Sequence, residues 1–180
     1  MQTNIAKQFQ KWVQGVRSGR LGRSIIVIVL LVATFLATLD WTGTPASIDG
    51  SAEARDGDSL VIGRHRVRLV GIDAPERDQT CSRGRKRWAC GREAGRHLSR
   101  LIGNHDVNCM IEKRDRFQRL LAHCRVSERD LNRSMVRDGM ALSFGRRYRR
   151  EEAAARKEKL GLWSGTFQRP QLWRKQNPRR

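Results

Sequence analysis

Arg64-His-Arg-Val-Arg-Leu-Val-Gly-Ile-Asp-Ala-Pro-Glu76 is the stretch from which the fold can be read. Basic and apolar side chains alternate through Leu69, the period-two pattern of a strand with one wet and one buried face. The alternation fails near Gly71, which predicts a bulge or bend. Pro75 cannot donate to a sheet ladder, so Asp73–Glu76 must be a turn or loop. Upstream, Ser59–Ile62 is a short apolar strand closed by a turn at Gly63. Downstream, Val107–Glu112 and Leu120–Val126 read as two strands of a hairpin around Lys113–Gln118. Ala94, Leu98, Leu101 and Ile102 form the stripe of an amphipathic helix that ends at Gly103. Leu131–Asp138 and Glu151–Leu160 predict two further helices, stopped by Gly139 and Gly161. Short strands interleaved with helices indicate an α+β domain built on a small barrel, a shape that often binds nucleic acid on one face.

Outside that domain the chain changes character. Residues 1–23 are polar and basic with no acidic side chain, and Ser24–Leu39 carries no charge at all. Those apolar residues rise about 24 Å as a helix, and Trp41 extends them to interfacial depth. Residues 24–41 are therefore expected to be a transmembrane or signal-anchor helix, with 1–23 cytoplasmic and the remainder exported. The rival is a signal peptide cleaved near Thr44-Pro45-Ala46, which would release a secreted protein. Residues 42–54 lack periodicity and read as a linker, 55–165 as the domain, and 166–180 as a basic, disordered tail. No internal repeat is visible.

Lys and Arg number 37 against 18 Asp and Glu, a formal charge of +19 over 180 residues. A field of that sign attracts polyanions, either nucleic acid or an anionic membrane surface. Cys81, Cys90, Cys109 and Cys124 all follow the apolar segment, and an even number in an exported chain points to two disulfides. A zinc site fits poorly, because no C-x₂₋₄-C spacing occurs and the four histidines form no ligand pattern with the cysteines. Three pairings are open. The hairpin favours Cys109 with Cys124, leaving Cys81 with Cys90 to close the basic loop 77–92.

The residues able to do chemistry are Asp58, Arg68, Asp73, Glu76 and Arg119. Carboxylates hold a hard cation or take a proton from water, and arginine binds phosphate oxygens through a planar fork that never loses its charge. Taken singly, each has an ordinary explanation. Asp56-Gly-Asp58 and Asp73-Ala-Pro-Glu76 could be plain turns, and any one arginine could be a solvated surface group. Their order carries the case.

Asp56-Gly-Asp-Ser59, Arg68-Leu-Val-Gly-Ile-Asp-Ala-Pro-Glu76, Asp115-Arg-Phe-Gln-Arg-Leu-Leu-Ala122, Leu131-Asn-Arg-Ser-Met-Val-Arg-Asp-Gly139 and Glu158-Lys-Leu-Gly-Leu-Trp-Ser164 follow one another as in the thermonuclease family. The resemblance to staphylococcal-type nuclease covers about Arg55 to Ser164. It implies a five-stranded OB-fold-type barrel with about three helices and Ca²⁺-dependent hydrolysis of DNA or RNA by a monomer. By position, Asp58 and Asp73 would hold Ca²⁺, Glu76 would act as general base on water, and Arg68 and Arg119 would clamp the phosphate. Four features depart from the family pattern. Ala74 stands where Thr is usual, and Gln118 replaces a Gly. The hairpin between Asp58 and Arg68 is shortened, and the Cys81–Cys90 loop has no equivalent. A non-catalytic OB-type binding module is the alternative, yet three carboxylates beside a polyanion would weaken a pure binder.

Overall fold

The computed structural model describes residues 27–34 and 46–178. Residues 27–34 are helical and expose their apolar side chains. Among the described residues, no helix is long and apolar enough to cross a membrane. The basic segment 1–23 and the rest of the expected 24–41 anchor lie outside the described residues.

From residue 46 onward the chain is an α+β unit. Its strands are β1 (Ser47–Gly50), β2 (Ala52–Ala54), β3 (Ser59–Ile62), β4 (His65–Leu69), β5 (Ile72–Asp73), β6 (Cys81–Arg83), β7 (Lys86–Trp88), β8 (Val107–Arg114), β9 (Leu120–Val126), β10 (Arg129–Asp130) and β11 (Leu142–Ser143). The helices of this unit are α1 (Cys90–Ile102), α2 (Leu131–Arg137), α3 (Arg149–Lys157) and α4 (Pro170–Gln176), with a 3₁₀ turn at Gly161–Ser164.

The main sheet runs β1-β8-β9-β4-β3-β2, with β10 added to β9. β4 and β9 are parallel and the other pairs antiparallel. The two ends of that order are neighbours in the chain, because only Ser51 separates β1 from β2. One bent strand therefore pairs with β8 by its first half and with β3 by its second, and the sheet curls into a nearly closed barrel. Counting the bent strand once, five strands circle the barrel, consistent with the OB-type arrangement expected. The bend falls at Gly50, whose φ of 141° is open to glycine and strained for other residues.

These strands correct the expectation of a 42–54 linker. Ile48, Ala52 and Ala54 do point at the core with period two, but two of the three are alanines, too small to announce a strand. The long barrel strands are more explicit. Leu60 and Ile62, Val67 and Leu69, and Leu120, Ala122, Cys124 and Val126 alternate inward and are buried. Ala94, Leu98 and Ile102 of α1 and Leu131, Met135 and Val136 of α2 join the same cluster. Each large side chain taken out of water contributes roughly 1.5–3 kcal/mol, and the barrel interior concentrates them. Buried Asn132 pins α2 to the barrel, donating to the Val70 and Ala122 carbonyls and accepting from the Cys124 amide at 3.0 Å.

Both disulfides form as the hairpin reading favours, Cys81–Cys90 and Cys109–Cys124, the second between directly paired residues of β8 and β9. The 77–92 segment is more ordered than a basic loop. β6 and β7 make a hairpin closed by its disulfide, and α1 begins at Cys90. The expected disordered tail is also corrected. Thr166 exchanges two backbone hydrogen bonds with Ser82, each 2.9 Å, and Pro170 opens α4 at a first-turn position where its missing N–H costs nothing. Trp88, Trp163 and Phe167 pack on a second small core of Cys81, Cys90, Leu142 and Leu162. Composition could not reveal this, because the tail orders itself on partners some 80 residues away.

Barrel closure at Gly50 can be tested by Gly50→Val. An added Cβ would meet Ile62 Cγ2 at 3.5 Å, ordinary contact, so backbone strain alone should destabilise by about 1–3 kcal/mol in urea unfolding.

Candidate active site

The Asp56-Gly-Asp-Ser turn divides its labour. Asp56 Oδ1 accepts from the Asp58 amide at 3.1 Å and from Ser59 Oγ at 2.6 Å, so Asp56 builds the turn. Asp58 is thereby free to face inward. It is 4% exposed, and its carboxylate accepts from Arg68 Nη1 at 2.8 Å and from the Ala74 amide at 3.1 Å.

Arg68 stands opposite Ser59 in the β3–β4 pair and beside Leu121 in the β4–β9 pair. Val67 and Leu69 take the core face, which leaves Arg68 on the outer face near the barrel lip. Asp73 reaches it through a backbone bend. Gly71 adopts a φ of 77°, and the chain leaves β4 to pair as β5 with β11. This is the bend that the broken alternation predicts. It brings Asp73, 5% exposed, to 3.4 Å from Arg68 Nη2. One guanidinium thus bridges two buried carboxylates.

Glu76 is held by its loop. Gln79, fully buried, accepts from the Glu76 amide through Oε1 at 3.2 Å and returns its own amide to the Glu76 carbonyl at 2.8 Å. The Gln79 carbonyl also accepts from the Gly91 amide, which fixes this turn to the start of α1. Glu76 Oε1 accepts from Arg174 Nη1 at 2.9 Å. The same guanidinium donates to Asp73 Oδ1 at 3.0 Å and Oδ2 at 3.4 Å.

Arg119 stays with its own loop. Asp115 accepts from the Phe117 and Arg119 amides and from Arg119 Nε, and Gln118 takes a left-handed φ of 60° at the position where the resemblance leads one to expect Gly. Burial acts against ionisation of Asp115, but these hydrogen bonds outweigh it and hold its carboxyl below the usual range. The parallel register pairs Val67 with Leu120, which sets Arg119 alongside Arg66 on the same outer face as Arg68. So Asp58, Arg68, Asp73 and Glu76 are joined in one hydrogen-bonded set, and Arg119 flanks it, paired with Asp115. Exposed Phe117 lies under Arg116 and Arg119, at 4.8 and 5.5 Å from ring to guanidinium.

Two residues of this region escape sequence reasoning. Gln79 carries no pattern of its own, and Arg174 is one basic residue among 37.

Burial pushes the Asp58 carboxyl up to about 7, against the pull of Arg68 beside it. Such a carboxylate favours a second cation nearby. Asp58 and Asp73 offer oxygen donors, the chemistry that suits a hard divalent ion completed by backbone carbonyls and water. Among the described residues no three His, Cys, Asp or Glu side chains converge as a ready metal cluster, so the protein would supply a pair of carboxylates.

The model of the family described as staphylococcal nuclease homologue matches residues 66–165. A succinoglycan biosynthesis protein, ExoI, of Rhizobium meliloti is 32% identical over 155 residues, covering 81% of this chain and 80% of that protein. A probable endonuclease of Botryotinia fuckeliana is 32% identical over 131 residues, 64% of this chain and 49% of its own length. An uncharacterized endonuclease of Haemophilus influenzae is 31% identical over 117 residues, 62% of this chain and 61% of its own. The chain thus spans less than two thirds of either endonuclease relative.

Gln79→Met keeps the shape of the side chain and removes its polar end. The Glu76 amide and the Gln168 carbonyl, which accepts from Gln79 Nε2 at 2.7 Å, would lose their partners. Stability should fall by roughly 1–3 kcal/mol, with faster amide hydrogen exchange across α4.

Proposed function

This chain belongs to the staphylococcal nuclease homologue family, and we propose that it is a Ca²⁺-dependent nuclease that hydrolyses phosphodiester bonds of DNA or RNA. The observation that carries the proposal is the single network joining Asp58, Arg68, Asp73 and Glu76 inside or beside the matched segment. Phosphodiester hydrolysis adds a water oxygen to an anionic phosphorus and breaks the bond to the leaving oxygen. Catalysis there is largely positioning and neutralisation of charge.

In this reading Asp58 and Asp73 hold the cation. Held there, Ca²⁺ would supply neutralisation of phosphate oxygens and ordering of water. Glu76 accepts the proton of the attacking water. Arg68 presents its fork to the phosphate from the lip of the barrel, and Arg119 supplies a second guanidinium from the adjoining loop. The outer face that runs through Arg66, Arg68 and Arg119, with Phe117 exposed beside it, supports binding of a polyanion carrying aromatic bases. Ala74 supplies its backbone amide to Asp58, so the loss of a hydroxyl at this position leaves that contact intact.

We also propose that this domain works outside the cytoplasm, tethered by residues 24–41. Two disulfides and no free cysteine among the described residues support an oxidising compartment.

The test is digestion of plasmid and single-stranded DNA by the full chain, with Ca²⁺ and then with excess chelator. Cleavage should require the cation. Salt-sensitive binding without cleavage under any divalent ion would move the reading to a binding module. Glu76→Gln should lower turnover by a factor of about 10²–10⁴, as expected for a lost base. Arg68→Lys should cost about tenfold or more, because a point charge cannot replace the planar fork presented to the phosphate. Wild-type rates in both variants would show that the chemistry lies elsewhere.

A further inference from the structure

Arg174 lies beyond the 66–165 segment that the family model matches. Its position nevertheless looks built. Cys81–Cys90 closes the β6–β7 hairpin, and Ser82 of that hairpin pairs with Thr166 in both directions. Trp163 and Phe167 meet edge to face at 5.0 Å over the second core. Gln79 Nε2 holds the Gln168 carbonyl, and buried Pro170 starts α4. Each attachment lies before Arg174 and shortens the span over which the chain could wander. The side chain at the end of this path meets both oxygens of Asp73 and one oxygen of Glu76.

That placement is specific in charge. Asp73 and Glu76 side chains are 7% and 13% exposed, so water screens them poorly. Arg68 is shared between Asp58 and Asp73 and donates its shorter bond to Asp58. Arg174 completes the compensation of Asp73. Partial burial lowers the pKa of Arg174, but its bonds to Glu76 and Asp73 outweigh that and raise it. Arg174 donates to both oxygens of Asp73, at 3.0 and 3.4 Å, so a divalent cation on this carboxylate would compete with the guanidinium and repel it.

We propose that Arg174 is the residue that sets the cation requirement of the site. It is the built-in counter-charge of Asp73 and Glu76, and a divalent cation gains Asp73 by displacing it. The displaced guanidinium gives up its bond to Glu76 as well, so cation binding also alters the surroundings of the carboxylate assigned to take the water proton. This inference rests on the nuclease reading. It adds that the C-terminal segment, seated on the disulfide hairpin, regulates that site from outside the family's matched segment.

The experiment is calorimetric titration of the full chain with CaCl₂ alone, no nucleic acid present, for the wild type, Arg174→Gln and Arg174→Lys. Arg174→Gln should bind Ca²⁺ about 5- to 100-fold more tightly, the range of coupling between competing sites, with Arg174→Lys in between. In chelator Arg174→Gln should melt below the wild type, and added Ca²⁺ should raise its Tm by more. The Ca²⁺ concentration giving half-maximal cleavage should fall in parallel with the affinity. Equal or weaker Ca²⁺ affinity in Arg174→Gln would overturn the proposal. So would a loss of turnover at saturating Ca²⁺ with unchanged affinity, the mark of an arginine that binds phosphate instead. A wild-type chain that neither binds Ca²⁺ nor cleaves would overturn the nuclease reading with it, whereas Ca²⁺-dependent cleavage with unaltered affinity in Arg174→Gln overturns this inference alone.

Discussion

Two carboxylates, Asp58 and Asp73, are buried within reach of one guanidinium, and much of the molecule is arranged around keeping them there. An unpaired buried carboxylate is expensive, and two near each other are worse. Arg68 relieves both at once from a strand whose register is fixed by β3 on one side and β9 on the other. The barrel must close for that register to exist, and closure depends on one bent strand that serves both edges of the sheet. A site that holds negative charge out of water and offers guanidinium groups at its rim suits an anionic ligand brought in with a cation.

The compensation of Asp73 draws on a second structural layer. The Cys81–Cys90 hairpin, Leu142, Leu162, Trp163 and Phe167 form a small core of their own, and the segment it anchors sets Arg174 on Asp73 and Glu76. Gln79 links the layers, since one side chain ties the Glu76 turn to the C-terminal segment while its backbone meets the start of α1. Features that look peripheral in the chain, a disulfide loop and a basic tail, therefore touch the same carboxylates as the central motif.

Legibility followed the range of the interactions. The strand from Arg64 and its break at Gly71 were readable because alternation and its failure are local, and the bend at Gly71 is what delivers Asp73. Cys109 and Cys124 were readable as partners because a hairpin register is nearly local too. The bent strand at 47–54 was missed for a different reason. Its inward residues Ile48, Ala52 and Ala54 keep the period, but most are too small to separate a strand from a linker. Arg119 was placed beside the phosphate by resemblance, while the loop geometry turns its guanidinium onto Asp115.

The sequence by itself determined the chemistry that is available: which carboxylates and guanidinium groups exist, the strands that carry them, and the cysteines that can meet across a hairpin. These follow from periodicity, turn residues and short spacings. The tertiary structure alone decided that residues 47–54 close the barrel, that the tail is ordered, and that Arg174, 98 residues from Glu76, lands on it. Such long closures depend on surfaces that exist only after the barrel and the hairpin have packed, and no local pattern in the chain records them.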